Sequence, residues 1–221
     1  MHKVVQFLRQ LSFKTLYFNF RYLPWKQAIR LPVLVSRHVR LLKMKGRIEI
    51  DAPLRTGMIQ IGYEGVTIFD NKKSRSIWDV AGTVVFKGRC LIGHGSKISV
   101  MEGGRLIAGS NLIITAESSV ICATEVSIGH DCVLSWDILI MDTDFHTIRN
   151  TDGNVINEPR PIAIGDRVWI GCRCLILKGA SIHSGSVVGA GATIAGVLHQ
   201  ENGLYLGAPG KISKENIRWE L

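Results

Sequence analysis

From residue 164 onward the chain keeps a period of six. Aliphatic residues stand at Ile164, Ile170, Ile176, Ile182, Val188 and Ile194, and four positions after each come Val168, Cys174, Ala180, Ser186, Ala192 and Leu198, most of them small. The position just after the aliphatic is most often glycine, as at Gly165, Gly171 and Gly189. Neither the 3.6-residue period of a helix nor the two-residue alternation of a strand sustains a period of six, so the chain must turn once per repeat. Short flat strands joined by turns wind a solenoid in which each aliphatic side chain points inward and stacks on its counterpart one coil away. The small residue tucks beneath the corner, and the stacked column excludes water along an axis that no single repeat could shield. Cys132 and Cys174 fall on such corners and read as small buried residues without a redox role.

Upstream the register continues in pieces: Ile128, Leu134 and Ile140 keep the spacing, Ile92 and Ile98 form another pair, and between them the phase slips. The text of residues 47–112 reads as earlier, less regular coils. The rhythm breaks at 142–161, a polar stretch with Pro159, Pro161 and a turn signal at Asp152-Gly153. A loop thrown out from a rigid solenoid is where function tends to sit. The expected organisation is a basic helical segment over 1–46, an all-β solenoid over 47–211 with the excursion at 142–161, and a tail over 212–221 ending in a short helix.

Charge is distributed unevenly. Residues 1–48 hold eleven Lys/Arg and no Asp/Glu, whereas residues 49–221 hold sixteen basic and eighteen acidic side chains. A uniformly basic chain would suggest nucleic acid. Here the cations interleave with Phe7, Leu8, Leu11, Phe13, Leu16, Tyr17, Phe18 and Phe20, which suits a helix lying on an anionic membrane surface; a helix packed on its own domain is the other reading. No secretory leader is legible and no run approaches the ~18–20 apolar residues of a spanning helix, so the expected location is the cytoplasm, with peripheral membrane contact as an option. Five cysteines with no CxxC pair suggest neither a disulfide framework nor a zinc ribbon.

The run IAIGDRVWIGCRCLILKGASIHSGSVVGAGATI from Ile162, followed by GAPGK at 207–211, resembles the hexapeptide-repeat acyltransferases, and within them the maltose/galactoside and polysaccharide O-acetyltransferase group. The resemblance implies a left-handed parallel β-helix, a C₃ homotrimer with active sites between subunits, acetyl-CoA as co-substrate and no metal. It also implies that His146, in the loop before the signature, is the general base: an imidazole with an ordinary pKa near ~6.5 can take the proton of an attacking hydroxyl and pass it to the departing thiolate. Asp144 or Asp142 would orient the ring. Trp169 would wall the site; Gly171, Gly189, Ala190 and Gly191 would line the pantetheine arm, and Pro209 and Lys211 would meet the phosphates. Trp136, Asp137 and Asp142 are the candidates for the acceptor. The group often carries asparagine where Asp137 stands, and a carboxylate accepts a hydroxyl's hydrogen bond but donates none.

These residues lead to an O-acetyltransferase acting on a sugar or saccharide of cell-surface glycan synthesis. The alternatives are N-acetylation of an amino-sugar, a serine-type acetyltransferase, or a catalytically silent scaffold. His94 and His130 each follow Ile-Gly, a phrase shared with β-helical carbonic anhydrases, but five residues on stand Ser99 and Ser135, so the second ligand of a zinc site is missing.

Overall fold

The computed structural model describes residues 12–63, 65–70 and 73–220. Among them the chain winds a three-sided prism whose faces are sheets of nine, seven and seven strands, and successive strands go to successive sheets. Ile164 pairs with Ile182, Ile170 with Val188, and Ile176 with Ile194, each partner one full coil further on. Three six-residue repeats therefore make one turn. Val168, Cys174, Ala180, Ser186 and Ala192 are all buried at the corners, as the repeat requires. Leu198 is the exception: it pairs directly with Ile182 and is itself a stacking residue, because the last coil is shorter.

The upstream phase slip has a simple cause. Strands such as Ser76–Val80 and Leu112–Ala116 run to five residues and alternate buried and half-buried positions, so each places more than one side chain in the core. The coils lengthen accordingly, and Ile92 pairs with Ile114 and Ile114 with Leu134. The inward column of the second sheet, Ile98, Val120, Ile140, Ile176 and Ile194, is at most 2% exposed along its length.

A solenoid's two ends are open edges that must be covered. The first coil starts at Val33–Val35 and Val39–Met44, so the solenoid begins inside the basic segment rather than at residue 47. Helix α1 (Phe13–Tyr22) covers this end and the short α2 (Trp25–Ala28) follows. Ser12 caps α1 by accepting from the Thr15 N–H, and the helix buries Thr15, Phe18 and Asn19 completely. Asn19 stands in for a missing strand: its Nδ2 donates to the Val33 carbonyl at 2.6 Å and its Oδ1 accepts from the Val33 N–H at 3.2 Å. Thr15 Oγ1 accepts from the Val35 N–H at 2.9 Å. Phe18 closes the core from above, edge-on to Trp78 at 5.2 Å between ring centroids. Phe7, Leu8 and Leu11 lie outside the described residues. No helix among the described residues is long and apolar enough to cross a membrane.

At the other end Lys211–Lys214 turns back antiparallel to Leu204–Leu206. The tail forms no helix among the described residues, because its backbone pairs with that open edge and Trp219 folds back to donate to the Arg167 carbonyl at 2.8 Å.

Candidate active site

The chain passes from the first sheet to the second along one edge of the prism, and a backbone ladder runs down it. Ser36 donates to Ile61, Gly62 to Ile92, Gly93 to Ile114, Glu117 to His94, Asp137 to Ala116, Arg173 to Trp136 and Gly191 to Cys172. This first edge gathers residues far apart in sequence. Trp136 and Asp137 lie one coil above Gly171–Cys174, then come Gly189–Ala192, then the turn carrying Pro209 before Lys211. The turn residues Asp137, Arg173 and Gly191 share left-handed backbone, with φ of 59°, 59° and 74°. Gly171 is required for another reason: a Cβ there would stand 2.6 Å from the Ala190 nitrogen. Asp137 and Arg173 are both exposed and form an ion pair at 3.5 Å, so the acidic group expected to meet an acceptor already has a cation beside it. Trp169 lies on the outer face of the first sheet, 40% exposed, its Nε1 donating to Ser135 Oγ at 3.2 Å and its ring 6.2 Å from that of Trp219.

The excursion leaves a different edge, between the second and third sheets, after Leu139–Met141 and rejoins at Ile162–Ile164. Its root is Asp142. That carboxylate is fully buried and accepts from the Ala123 N–H, the Thr124 N–H and the Thr124 hydroxyl at 2.7, 2.7 and 2.8 Å. The expectation that Asp142 meets the acceptor or orients His146 is corrected on this ground: its oxygens are occupied tying the loop to the preceding coil. Asp144 engages other groups through one oxygen, Oδ2. It accepts from the Lys178 ammonium and, at 2.9 Å, from Asn157 Nδ2, and neither oxygen is bonded to the imidazole. These two donors, Lys178 first, hold the Asp144 carboxyl below the usual carboxylate range.

His146 is therefore placed through its backbone. Its N–H donates to the Asp144 carbonyl at 2.7 Å and its own carbonyl accepts from Asn157 Nδ2 at 2.8 Å. Asn157 Oδ1 accepts from the Ile148 N–H at 2.6 Å, so one amide side chain clamps both limbs of the loop. Lys178 locks Asn157 to the coil below by donating to its carbonyl at 2.8 Å. Sequence reasoning missed both residues. Lys178 follows a regular repeat and Asn157 sits in an undistinguished polar run, so neither carried a signal of its own. The imidazole itself is exposed and makes no hydrogen bond among the described residues, and no hydrogen bond or ion pair there joins the loop to the first edge. Among the described residues no group of His, Cys, Asp and Glu able to hold a metal occurs.

Residues 161–196 match the family model described as bacterial transferase hexapeptide, six repeats. The putative lipopolysaccharide biosynthesis O-acetyl transferase WbbJ of Escherichia coli is 26% identical over 152 residues, 63% of this chain and 77% of that protein. The polysialic acid O-acetyltransferase of Neisseria meningitidis is 38% identical over 125 residues, 56% of each chain. Among solved structures, the crystal structure of the polySia-specific acetyltransferase NeuO superposes with a TM-score of 0.54 at 25% identity, covering 86% of this chain and 79% of that one. Repeat, prism and loop thus define a left-handed parallel β-helix transferase. The chain is similar to the hexapeptide-repeat acyltransferases, and the relatives it matches are named as acetyltransferases.

Proposed function

We propose that the chain transfers an acetyl group from acetyl-CoA to a hydroxyl of a cell-surface glycan or of a saccharide intermediate in its synthesis, with His146 as general base. The observation that carries the reading is the loop: Asp142, Asp144, Asn157 and Lys178 fix its backbone while the His146 imidazole is left exposed and unbonded, free to take a substrate's proton. The relatives named for O-acetyl transfer to lipopolysaccharide and polysialic acid supply the substrate class.

In this reading His146 removes the hydroxyl proton as the oxygen attacks the thioester carbonyl. The new C–O bond forms, the C–S bond breaks, and the proton passes to the departing thiolate. The pantetheine arm follows the first edge past Gly171, Gly189, Ala190 and Gly191 toward Pro209 and Lys211, while Trp136 and Asp137 lie on the acceptor side. Base and coenzyme groove occupy different edges of one prism, which supports a homotrimer in which one chain's loop meets a neighbour's first edge.

Replacing His146 by alanine is expected to cut acetyl transfer to sialic acid and lipopolysaccharide oligosaccharides by about 10²-fold or more, with the assembly intact by light scattering. Near-wild-type turnover would end the assignment. Offering hydroxyl and amine acceptors side by side separates O- from N-transfer. Coenzyme A should raise the melting temperature by mass action, which a silent scaffold would not show.

A further inference from the structure

The first edge does not end at the catalytic level. Followed upward past Glu117 and His94 it reaches a cleft lined by Lys14, Arg37, His38, Val39, Arg40 and Arg75, where α1 meets the first corner. Among the described residues no carboxylate lies within ion-pair distance of these four cations. Lys14 is pinned in place by donating to the Arg37 and Val39 carbonyls at 2.8 and 2.6 Å, and Arg37 Nε donates to His38 Nε2 at 3.2 Å. Burial and then Arg75 push the Lys14 ammonium below its ordinary value; burial and then Arg37, His94, Lys14 and Arg75 do the same to His38. Burial is the larger cause of both shifts, and the neighbouring positive charges add to it. Behind His38, at 6.3 Å between rings, His94 is 3% exposed and its Nε2 has no hydrogen-bond partner.

Beside the cleft, α1 carries a second stripe opposite the face it buries. Phe13, Leu16, Tyr17 and Phe20, spaced i, i+3, i+4 and i+7, are 81%, 44%, 47% and 50% exposed, and Trp25 follows at 66%. Lys14 and Arg21 border this stripe on one side by the same helical spacing. Aromatic side chains on an outward helix face, rimmed by unpaired cations, match a bilayer's headgroup boundary.

We propose that the head of the first edge is a binding site for lipid phosphate, a phosphate ester joined to an acyl or polyprenyl chain. The cations of the cleft take the anion while Phe13, Phe20 and Trp25 enter the apolar layer. Such a phosphate has two sources, the headgroups of an anionic bilayer and the lipid anchor of a saccharide acceptor. Phosphate held here would lie about four coil spacings of ~4.8 Å from the Asp137 corner, room for a few sugar rings between anchor and reacting hydroxyl. Only that last point rests on the acetyl-transfer reading.

Vesicle flotation of the full chain tests the site without any turnover. Vesicles of phosphatidylcholine with phosphatidylglycerol should carry the protein, and pure phosphatidylcholine should not. Arg37→Gln, Arg40→Gln and Arg75→Gln together should weaken that binding about a hundredfold, the effect of removing three cations from an anionic surface. Phe13→Ser with Phe20→Ser should weaken it separately, and because all five side chains are exposed the melting temperature should not move. Neutral vesicles doped with a polyprenyl-diphosphate saccharide distinguish the sources: recruitment there identifies the acceptor's anchor, and recruitment by phosphatidylglycerol alone identifies the bilayer. Recruitment by neither, or binding that survives the arginine substitutions, overturns the proposal.

Discussion

Asp144 accepts from two donors on different parts of the chain, the Lys178 ammonium and the Asn157 amide, and both hold its carboxyl below the ordinary range. A depressed folded-state pKa means its contribution is complete above the unfolded value near ~3.9 and is lost as pH falls through the lower folded value. The loop clamp is therefore fully formed at neutral pH. Replacing Asp144 by Asn keeps the shape and removes the charge. We expect kcat to fall about tenfold through misplacement of the base, with KM for acetyl-CoA unchanged and faster tryptic cleavage at Arg149. Lys178→Met should reproduce the effect, and the double variant should be no worse than either, since both remove one interaction. Independent, additive losses in the double variant would show that the two residues do not act as a pair. The loop that carries His146 was legible in the sequence because a break in a strict rhythm is itself a signal. The partner of Asp144 was not, because Lys178 reaches it across a coil boundary and its own position obeys the repeat.

Helix α1 acts as a substitute strand. Its buried polar side chains satisfy the Val33 and Val35 groups that a preceding coil would have paired, which is why a helix with buried Thr15 and Asn19 is stable there. Asn19→Leu should leave the Val33 N–H and carbonyl unsatisfied and cost roughly 1–3 kcal/mol, read from urea unfolding. A change within error would mean that water or a neighbouring chain satisfies the edge instead. The sequence left this segment between a helix on a membrane surface and one packed on its own domain, and could not assign the cap. Apolar residues crowd it on two faces, one turned to Trp78 and one to solvent, so no single amphipathic stripe stood out. The regular coils at 164–194 were readable to the residue because each strand there is only two or three residues long. The upstream coils were not, since strands of four or five residues hide the period in their own alternation. The inward position remains the unit of stability: Ile176, fully buried in the middle of its column, should cost about 2–5 kcal/mol when cut to alanine.

The outer faces of the prism differ in character. The second sheet turns Ile121, Leu139, Met141, Leu175 and Leu177 outward, the first turns Ile113, Val133 and Trp169, and the third mixes Arg105, Glu125, Ser127 and Ser181 with Ile107 and Ala163. The first edge is thus flanked by the two apolar faces, the arrangement expected of a surface that other copies cover. If each site joins the loop of one chain to the first edge of the next, two inactive variants should complement. His146→Ala keeps an intact edge, and Ala190→Trp, at an exposed corner, keeps an intact loop while filling the groove. Unfolded together at equal amounts and refolded, they should assemble at random. A working site then needs a loop from the second variant beside an edge from the first, so about a quarter of wild-type activity should return. A mixture as inactive as its components would place base and coenzyme groove within one chain.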